Sequence, residues 1–420
     1  MRIIWFCNML LPEIARHKKM EHTPFGGWIS GALQALCAYD NIEITVCCPC
    51  MQVDEIESGY TERFSYRIFP SSTKQQIHHY GSASNMFEIL LKSTSAEIAH
   101  IWGTEYSNAR VILEVLKDKI PAIVSIQGIC SLIKSHYYAG VPEFIRRRYT
   151  IRDMIKRDNM RHQYKVFLKI SHQEEQTFQV AKHVIGRTQW DRAAISLINP
   201  EAQYHSCNEI LRPSFFQHRW RLDQCEKHTI FVSQWSSALK GFHYAIEAFR
   251  IVSQNYEDAI LYTTGKSPFD MQFYLLTSYQ KYIMEQIKRY NLREKIRFTG
   301  ILDEEQMCHR YLNSHVFVQS SSIENSPNSV GEAMLLGMPI VASYVGGTMD
   351  MLQDKEEGFL FQADAPYMMA YYIEQFFEND DLAKRMGNTA HEHAIETHNP
   401  LRNTQKLMAI YEEVIASGAQ

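Results

Sequence analysis

The stretch His315–Gly347 constrains the fold of this chain more tightly than any other part of it. His315–Ser320 (H-V-F-V-Q-S) has strand composition, Ser326–Ser329 has turn-and-cap chemistry, and Val330, Ala333 and Met334 recur at the i, i+3, i+4 spacing of a short buried helix face. Gly337 and Pro339 stop that helix, Pro339–Ser343 reads as a second strand, and Gly346-Gly347 supplies a turn. Strand, helix and strand in so short a span make a βαβ crossover, which requires a parallel sheet and gathers its active loops at one end.

The rest of the chain repeats this pattern. Strand runs at Arg2–Cys7, Ile42–Cys48, Ser65–Phe69, Ile98–Trp102, Ala122–Ile126 and His183–Arg187 alternate with helical or mixed segments, the first a helix from about Trp28 to Tyr39 after the Gly26-Gly27 turn. A second series follows a polar stretch, Gln217–Lys227, that reads as a linker. Its strands are Thr229–Ser233, Ala259–Thr263, Ile296–Thr299, Val316–Ser320, Pro339–Ser343 and Gly358–Phe361. The expected architecture is α/β, with two Rossmann-like domains facing across a cleft at residues 1–213 and 214–399. Ligands in open α/β sheets sit beyond the carboxyl ends of strands, which makes His100, Trp102-Gly103-Thr104, Gln127-Gly128 and Gly186-Arg187-Thr188 candidates by position.

The opening stretch also has the chemistry of an anion site. The first turn of a helix leaves backbone N–H groups unpaired at the positive end of the dipole, and Asn328, Ser329 and Val330 would supply them, with Gly331 allowing close approach. Glu324 and Glu332 flank that position, so the bound molecule would carry both phosphates and hydroxyls. Ser329-x-x-Glu332 equally fits a capping box, in which Glu332 only reaches back to the cap backbone. The local pattern leaves both readings open.

Composition excludes several classes. A net charge of −4 gives no global reason to expect nucleic acid. Nine cysteines without regular spacing argue against a secreted disulfide framework, and Cys47-Cys48-Pro49-Cys50 lacks the second ligand pair a zinc site needs. The apolar amino terminus ends at Pro12-Glu13 without a small-residue cleavage site, and no run reaches the roughly 18 apolar residues of a membrane span. A cytoplasmic protein, soluble or peripheral at a membrane, is therefore expected. Phe144–Ile170 carries nine Lys or Arg against two Asp with apolar residues interleaved, which fits a solvated helix face or a surface for anionic headgroups. Lys240-Gly241 places an ammonium after one strand, and Gly265-Lys266-Ser267 follows the next but lacks the first glycine of a P-loop. No Gly-x-Gly-x-x-Gly follows a strand and no Asp-x-Asp occurs, so neither a dinucleotide cofactor nor a metal-bound diphosphate is expected.

Taken together, Glu324 to Glu332 with seven residues between, the continuation E-A-M-L-L-G-M-P-I-V-A-S-Y-V-G-G, Lys240-Gly241, Thr299-Gly300 and Gly358-Phe359-Leu360 resemble the group 1 glycosyltransferases, retaining enzymes of the two-domain GT-B fold. The resemblance covers most of the carboxyl-terminal half; in the amino-terminal half it rests on Gly26-Gly27, His100, Gln127-Gly128 and V-I-G-R-T-Q-W. It implies metal-independent, retaining transfer of a sugar from a nucleotide-diphosphate sugar to a saccharide or lipid-linked acceptor, in cell-surface polysaccharide synthesis. No cofactor is implied, and a last helix in 400–420 would return to the first, acceptor-binding domain. Glu324 and Lys240 would be catalytic, Glu332 would hold the ribose, and Gly265, Gly300, Asn328, Ser329 and Val330 would hold the nucleotide. Gly26, Gly27, His100, Gln127, Asn325 and Ser326 would meet the donor sugar or the acceptor. The chain departs from the family where V-S-Q-W-S-S-A-L-K-G carries no Arg before Lys240, and where Gln127 replaces a common His. One lost charged hydrogen bond removes roughly 1.5–3 kcal/mol of grip on a diphosphate unless another cation, such as Arg212, substitutes. A silent nucleotide-sugar binder and a nucleotide-sugar epimerase are the alternative readings.

Overall fold

The computed structural model describes residues 1–20, 26–71, 81–105 and 108–418. Among them the strands form two sheets. The first contains β1 (Arg2–Cys7), β2 (Glu43–Cys50), β3 (Glu57–Tyr60), β4 (Ser65–Pro70), β5 (Ile98–Trp102), β6 (Ala122–Ser125), β7 (His183–Gly186) and β8 (Gln203–Ser206). Their order is β3-β4-β2-β1-β5-β6-β7-β8, parallel except for the β3–β4 pair. The second contains β9 (Glu226–Val232), β10 (Ile260–Thr263), β11 (Ile296–Phe298), β12 (Ser314–Gln319), β13 (Ile340–Ser343) and β14 (Phe359–Phe361), all parallel, in the order β11-β10-β9-β12-β13-β14. The structure thus has the expected α/β class with two parallel-sheet domains.

Helices cover both faces, so the central strands read as continuous apolar runs. In β1, Ile3, Trp5 and Cys7 enter one core cluster while Ile4 and Phe6 enter the other. Each fully buried Ile or Phe contributes roughly 1.5–3 kcal/mol. The helix Pro400–Gly418 places Leu407, Ile410, Tyr411 and Val414 in the Trp5 cluster, and Trp5 Nε1 donates to the Tyr411 hydroxyl at 3.2 Å.

Two compact units result. One comprises Met1–Leu132, Phe167–Leu211 and the residues from His398 onward; the other comprises Ile133–Val166 and Arg212–Thr397. Residues 133–166 therefore depart from a first domain running unbroken over 1–213. The reason is local docking: His243 Nε2 meets the Ala139 carbonyl at 2.7 Å, Arg148 donates to Glu285 at 2.7 Å, and Val141 and Ile145 are fully buried. Gln217–Lys227 is not a linker either. Trp220 and Leu222 are buried between its charged residues, and Trp220 Nε1 donates to the Ser314 carbonyl at 2.8 Å.

Candidate functional site

In the second unit the candidate residues follow the carboxyl ends of five adjacent strands: Gly300 after β11, Gly265 after β10, Lys240 after β9, Glu324 after β12 and Gly346 after β13. Two contacts leave no room for a side chain other than hydrogen. Gly241 has φ +66°, and a Cβ there would stand 1.8 Å from the Ser320 carbonyl oxygen. Gly346 has φ +51°, and its Cβ would stand 1.9 Å from the Glu324 carbonyl oxygen, which also accepts from Gly347 N at 3.0 Å. Ser320 Oγ donates to the Lys240 carbonyl at 2.9 Å and Ser322 N donates to the Leu239 carbonyl at 2.8 Å. The loops carrying Lys240 and Glu324 are thereby fixed against each other. Lys240 Nζ lies 2.6 Å from Glu324 Oε1, which also accepts from Ser321 Oγ at 2.7 Å.

The helix bearing Glu332 runs from Asn328 to Leu336, its N-cap is Pro327, and no side chain caps it. Ser329 is inside the helix, so the capping box does not form. Glu332 lies in the second turn, 6% exposed, and its Oε1 accepts from Arg212 Nε at 2.7 Å. Burial works against the Arg212 charge, yet the adjacent Glu332 outweighs it and holds the guanidinium above its ordinary pKa. Arg212 also lies 4.8 Å over the Phe215 ring. Its Nε–H is thus engaged by Glu332. The Val330 amide donates to the Pro327 carbonyl at 2.9 Å, which removes it from the expected set and leaves the amides of Asn328 and Ser329 without a backbone acceptor among the described residues. Asn325 is buried, and Ser326 Oγ is 3.4 Å from Met351 Sδ, so both are turned into the fold. Gly265 and Gly300 pair as an antiparallel bridge at 2.7 and 3.2 Å with φ +94° and +79°, joining two glycine turns at one edge of the site.

The first unit has its own polar cluster. Gly26, at φ +91°, opens the helix Gly27–Leu36, and a Cβ on it would meet Met9 Sδ at 2.7 Å. The Gln127 amide, oriented by its neighbours, donates to Glu105 Oε1 at 3.1 Å and accepts from Trp28 Nε1 at 3.2 Å. Asn8 Nδ2 donates to the same Glu105 oxygen at 2.7 Å. Asn8 and Glu105 were missed in the sequence although Glu105 directly follows the Trp102-Gly103-Thr104 strand end. Behind them Glu174, fully buried, accepts from Thr104 Oγ1 at 2.7 Å and from Cys130 N at 2.5 Å. Burial pushes its carboxyl up to about 8, and burial also raises Glu105. His100 belongs to neither set. It is fully buried in β5, with Nδ1 2.6 Å from Tyr411 Oη and Nε2 2.7 Å from Ser125 Oγ, so both nitrogens serve the core. Burial lowers its pKa to about 3.

Residues 215–393 match the family of group 1 glycosyl transferases. A curated relative, D-inositol 3-phosphate glycosyltransferase of Streptomyces scabiei, is 31% identical over 106 residues, which is 25% of this chain and 24% of the relative. The chain thus aligns with about a quarter of that relative's length. Among solved structures, sucrose-phosphate synthase from Thermosynechococcus elongatus superposes with TM-score 0.73 at 14% identity, covering 99% of this chain and 100% of that one. Anabaena HepE in complex with UDP and glucose gives TM-score 0.66 at 15% identity over 97% of this chain and 99% of that one.

Proposed function

We propose that this protein transfers a sugar from a nucleotide-diphosphate sugar to a saccharide or lipid-linked acceptor, with retention of configuration, a reading supported by the match of residues 215–393 to the group 1 glycosyl transferases and by the likeness of the fold to GT-B structures. The observation that carries this reading is the Lys240–Glu324 pair held beside the uncapped helix start at Asn328. Cation, carboxylate and free amides in one place suit a molecule with a diphosphate at one end and hydroxyls at the other.

In this reading Lys240 and the amides of Asn328 and Ser329 meet the negative charge that grows on the departing diphosphate. Stabilisation of this kind acts only as the bond to the sugar breaks, so it raises turnover rather than mere affinity. No metal is needed for that charge, and EDTA leaves transfer unchanged. Glu324 accepts from hydroxyls of the donor sugar, for which Lys240 must release it in part. Glu332, oriented by Arg212, accepts from the ribose hydroxyls. Gly265 and Gly300 keep the backbone low where the base would lie. The Gly26, Gly27 and Gln127 set of the first unit meets sugar hydroxyls. Peripheral membrane contact through 144–170 is part of the proposal: Phe144, Tyr149, Met154 and Ile155 are more than half exposed. Several arginines there are nonetheless paired, Arg147 with Glu143 and Arg152 with Asp158. No described helix is long and apolar enough to cross a membrane.

Incubation with radiolabelled UDP-, GDP- and ADP-sugars and a panel of saccharide and lipid-linked acceptors tests this directly. A glycosylated product whose anomeric proton coupling matches that of the donor is expected. Binding without transfer or hydrolysis would identify a silent binder, and an isomerised donor would identify an epimerase.

A further inference from the structure

The donor reading leaves a cavity of about 250 Å³ in the second unit unassigned. Segment 133–166 forms one wall, with Tyr137, Asp158 and Gln163; Ser237, Thr277 and Ser278 stand on the others. At ~30 Å³ of liquid volume per water molecule, the space is far larger than a single buried water requires. Its wall includes Ala238 and Leu239, so it adjoins the 3₁₀ turn that ends at Lys240.

The lining is hydroxyl-rich and carries two carboxylates, Asp153 and Asp158, but no Lys or Arg. Such a wall repels anions, so it is not a second phosphate site. Arg152, at 3.2 Å from Asp153 and 2.9 Å from Asp158, offsets part of the negative charge from behind. Ser278 is 1% exposed and its hydroxyl has no partner among the described residues, which a buried polar group tolerates poorly. Thr277 Oγ1 accepts from Gln280 N and keeps its own proton to donate. Tyr137, packed beside Tyr138 and Tyr164 with centroids 5.5 and 5.2 Å away, gives the cavity an aromatic side. Carboxylates that accept and hydroxyls that both accept and donate, next to an aromatic ring, match a neutral polyhydroxylated ligand.

We propose that this cavity is a saccharide subsite within the second unit, and that it takes a sugar ring of the acceptor. Only the word acceptor rests on the transferase reading; the saccharide does not. The test is saturation-transfer NMR with glucose, galactose, N-acetylglucosamine and sucrose on the wild type, Ser237→Phe and Asp158→Asn. Ser237 is exposed and its substitution fills the space without opening the core. At least one sugar should bind the wild type and bind each variant ten-fold or more weakly, while UDP, GDP or ADP binding is retained. A wild type that binds none of the four, or variants that bind as well as it does, would overturn the subsite. The two proposals fail separately. Sugar binding lost in the variants alongside a wild type that transfers nothing keeps the subsite and removes the transferase. Transfer with an unchanged acceptor KM in the variants does the reverse.

Discussion

Both units place carboxylates at the carboxyl ends of parallel strands, yet they treat them oppositely. In the second unit Glu324 meets Lys240 at 2.6 Å and Glu332 meets Arg212 at 2.7 Å, so each carboxylate has its own cation. In the first unit Glu105 and Glu174 are held by amides, a hydroxyl and backbone N–H groups, and burial raises both toward the protonated form. The topology fixes where a polar group stands, and its partners fix its charge. A diphosphate-bearing ligand needs fixed positive charge, which accompanies Glu324 and Glu332 but not Glu105 and Glu174; in the first unit such charge stands instead at Arg187, paired with Glu209.

The sharpest way to break this contrast is to remove one partner of the buried pair. Glu332→Ala leaves Arg212 charged and mostly buried, and should cost about 3–5 kcal/mol in urea denaturation. The double variant Arg212→Met, Glu332→Leu should recover most of that without recovering nucleotide binding. A single variant as stable as the wild type would show that the pair does not organise this region.

The first unit should respond to pH instead. Glu174 has a folded pKa of about 8 against an ordinary value of 4.5. Its protonated form is favoured by the fold, so the contribution is fully present below 4.5 and is lost as pH rises through the window up to about 8. The free energy of unfolding should fall across that range by on the order of a few kcal/mol, and Glu174→Gln should flatten the profile. An unchanged profile in the variant would place the titration elsewhere. His100→Phe comes next in size, because it leaves the Ser125 and Tyr411 hydroxyls without their imidazole partner; a loss of roughly 1–3 kcal/mol is expected in the same assay. Arg147→Gln, which removes an exposed ion pair with Glu143, should change stability by less than about 1 kcal/mol. A larger loss there would mean that the basic segment is structural.

Local chemistry explains what the sequence disclosed. All twelve expected strands exist, and β1 and β5 match to the residue, because a strand buried on both faces leaves an uninterrupted apolar run. The edges β3 and β8 escaped notice because an edge strand is short and half exposed, as the alternating exposure of Glu57–Tyr60 shows. The glycine turns at Gly241 and Gly346 were legible because close backbone approach demands glycine at fixed offsets from a strand end. Partners distant in sequence were not. Arg212 lies 120 residues from Glu332, and residues 133–166 dock on helices that come a hundred residues later. His100 was misread because a strand-end position and a core position differ only in what stands opposite, here Tyr411 and Ser125.

Calorimetric titration of the wild type, Glu332→Gln and Glu324→Gln with UDP, GDP, ADP and their sugars tests the donor site most directly. One nucleotide series should bind the wild type and stabilise it by about 2.7 kcal/mol at 100 times its dissociation constant. Glu332→Gln should bind that series at least ten-fold more weakly, and Glu324→Gln should keep the nucleotide while losing preference for its sugar. A wild type that binds none of them, or a Glu332→Gln variant that binds them equally well, would contradict the account.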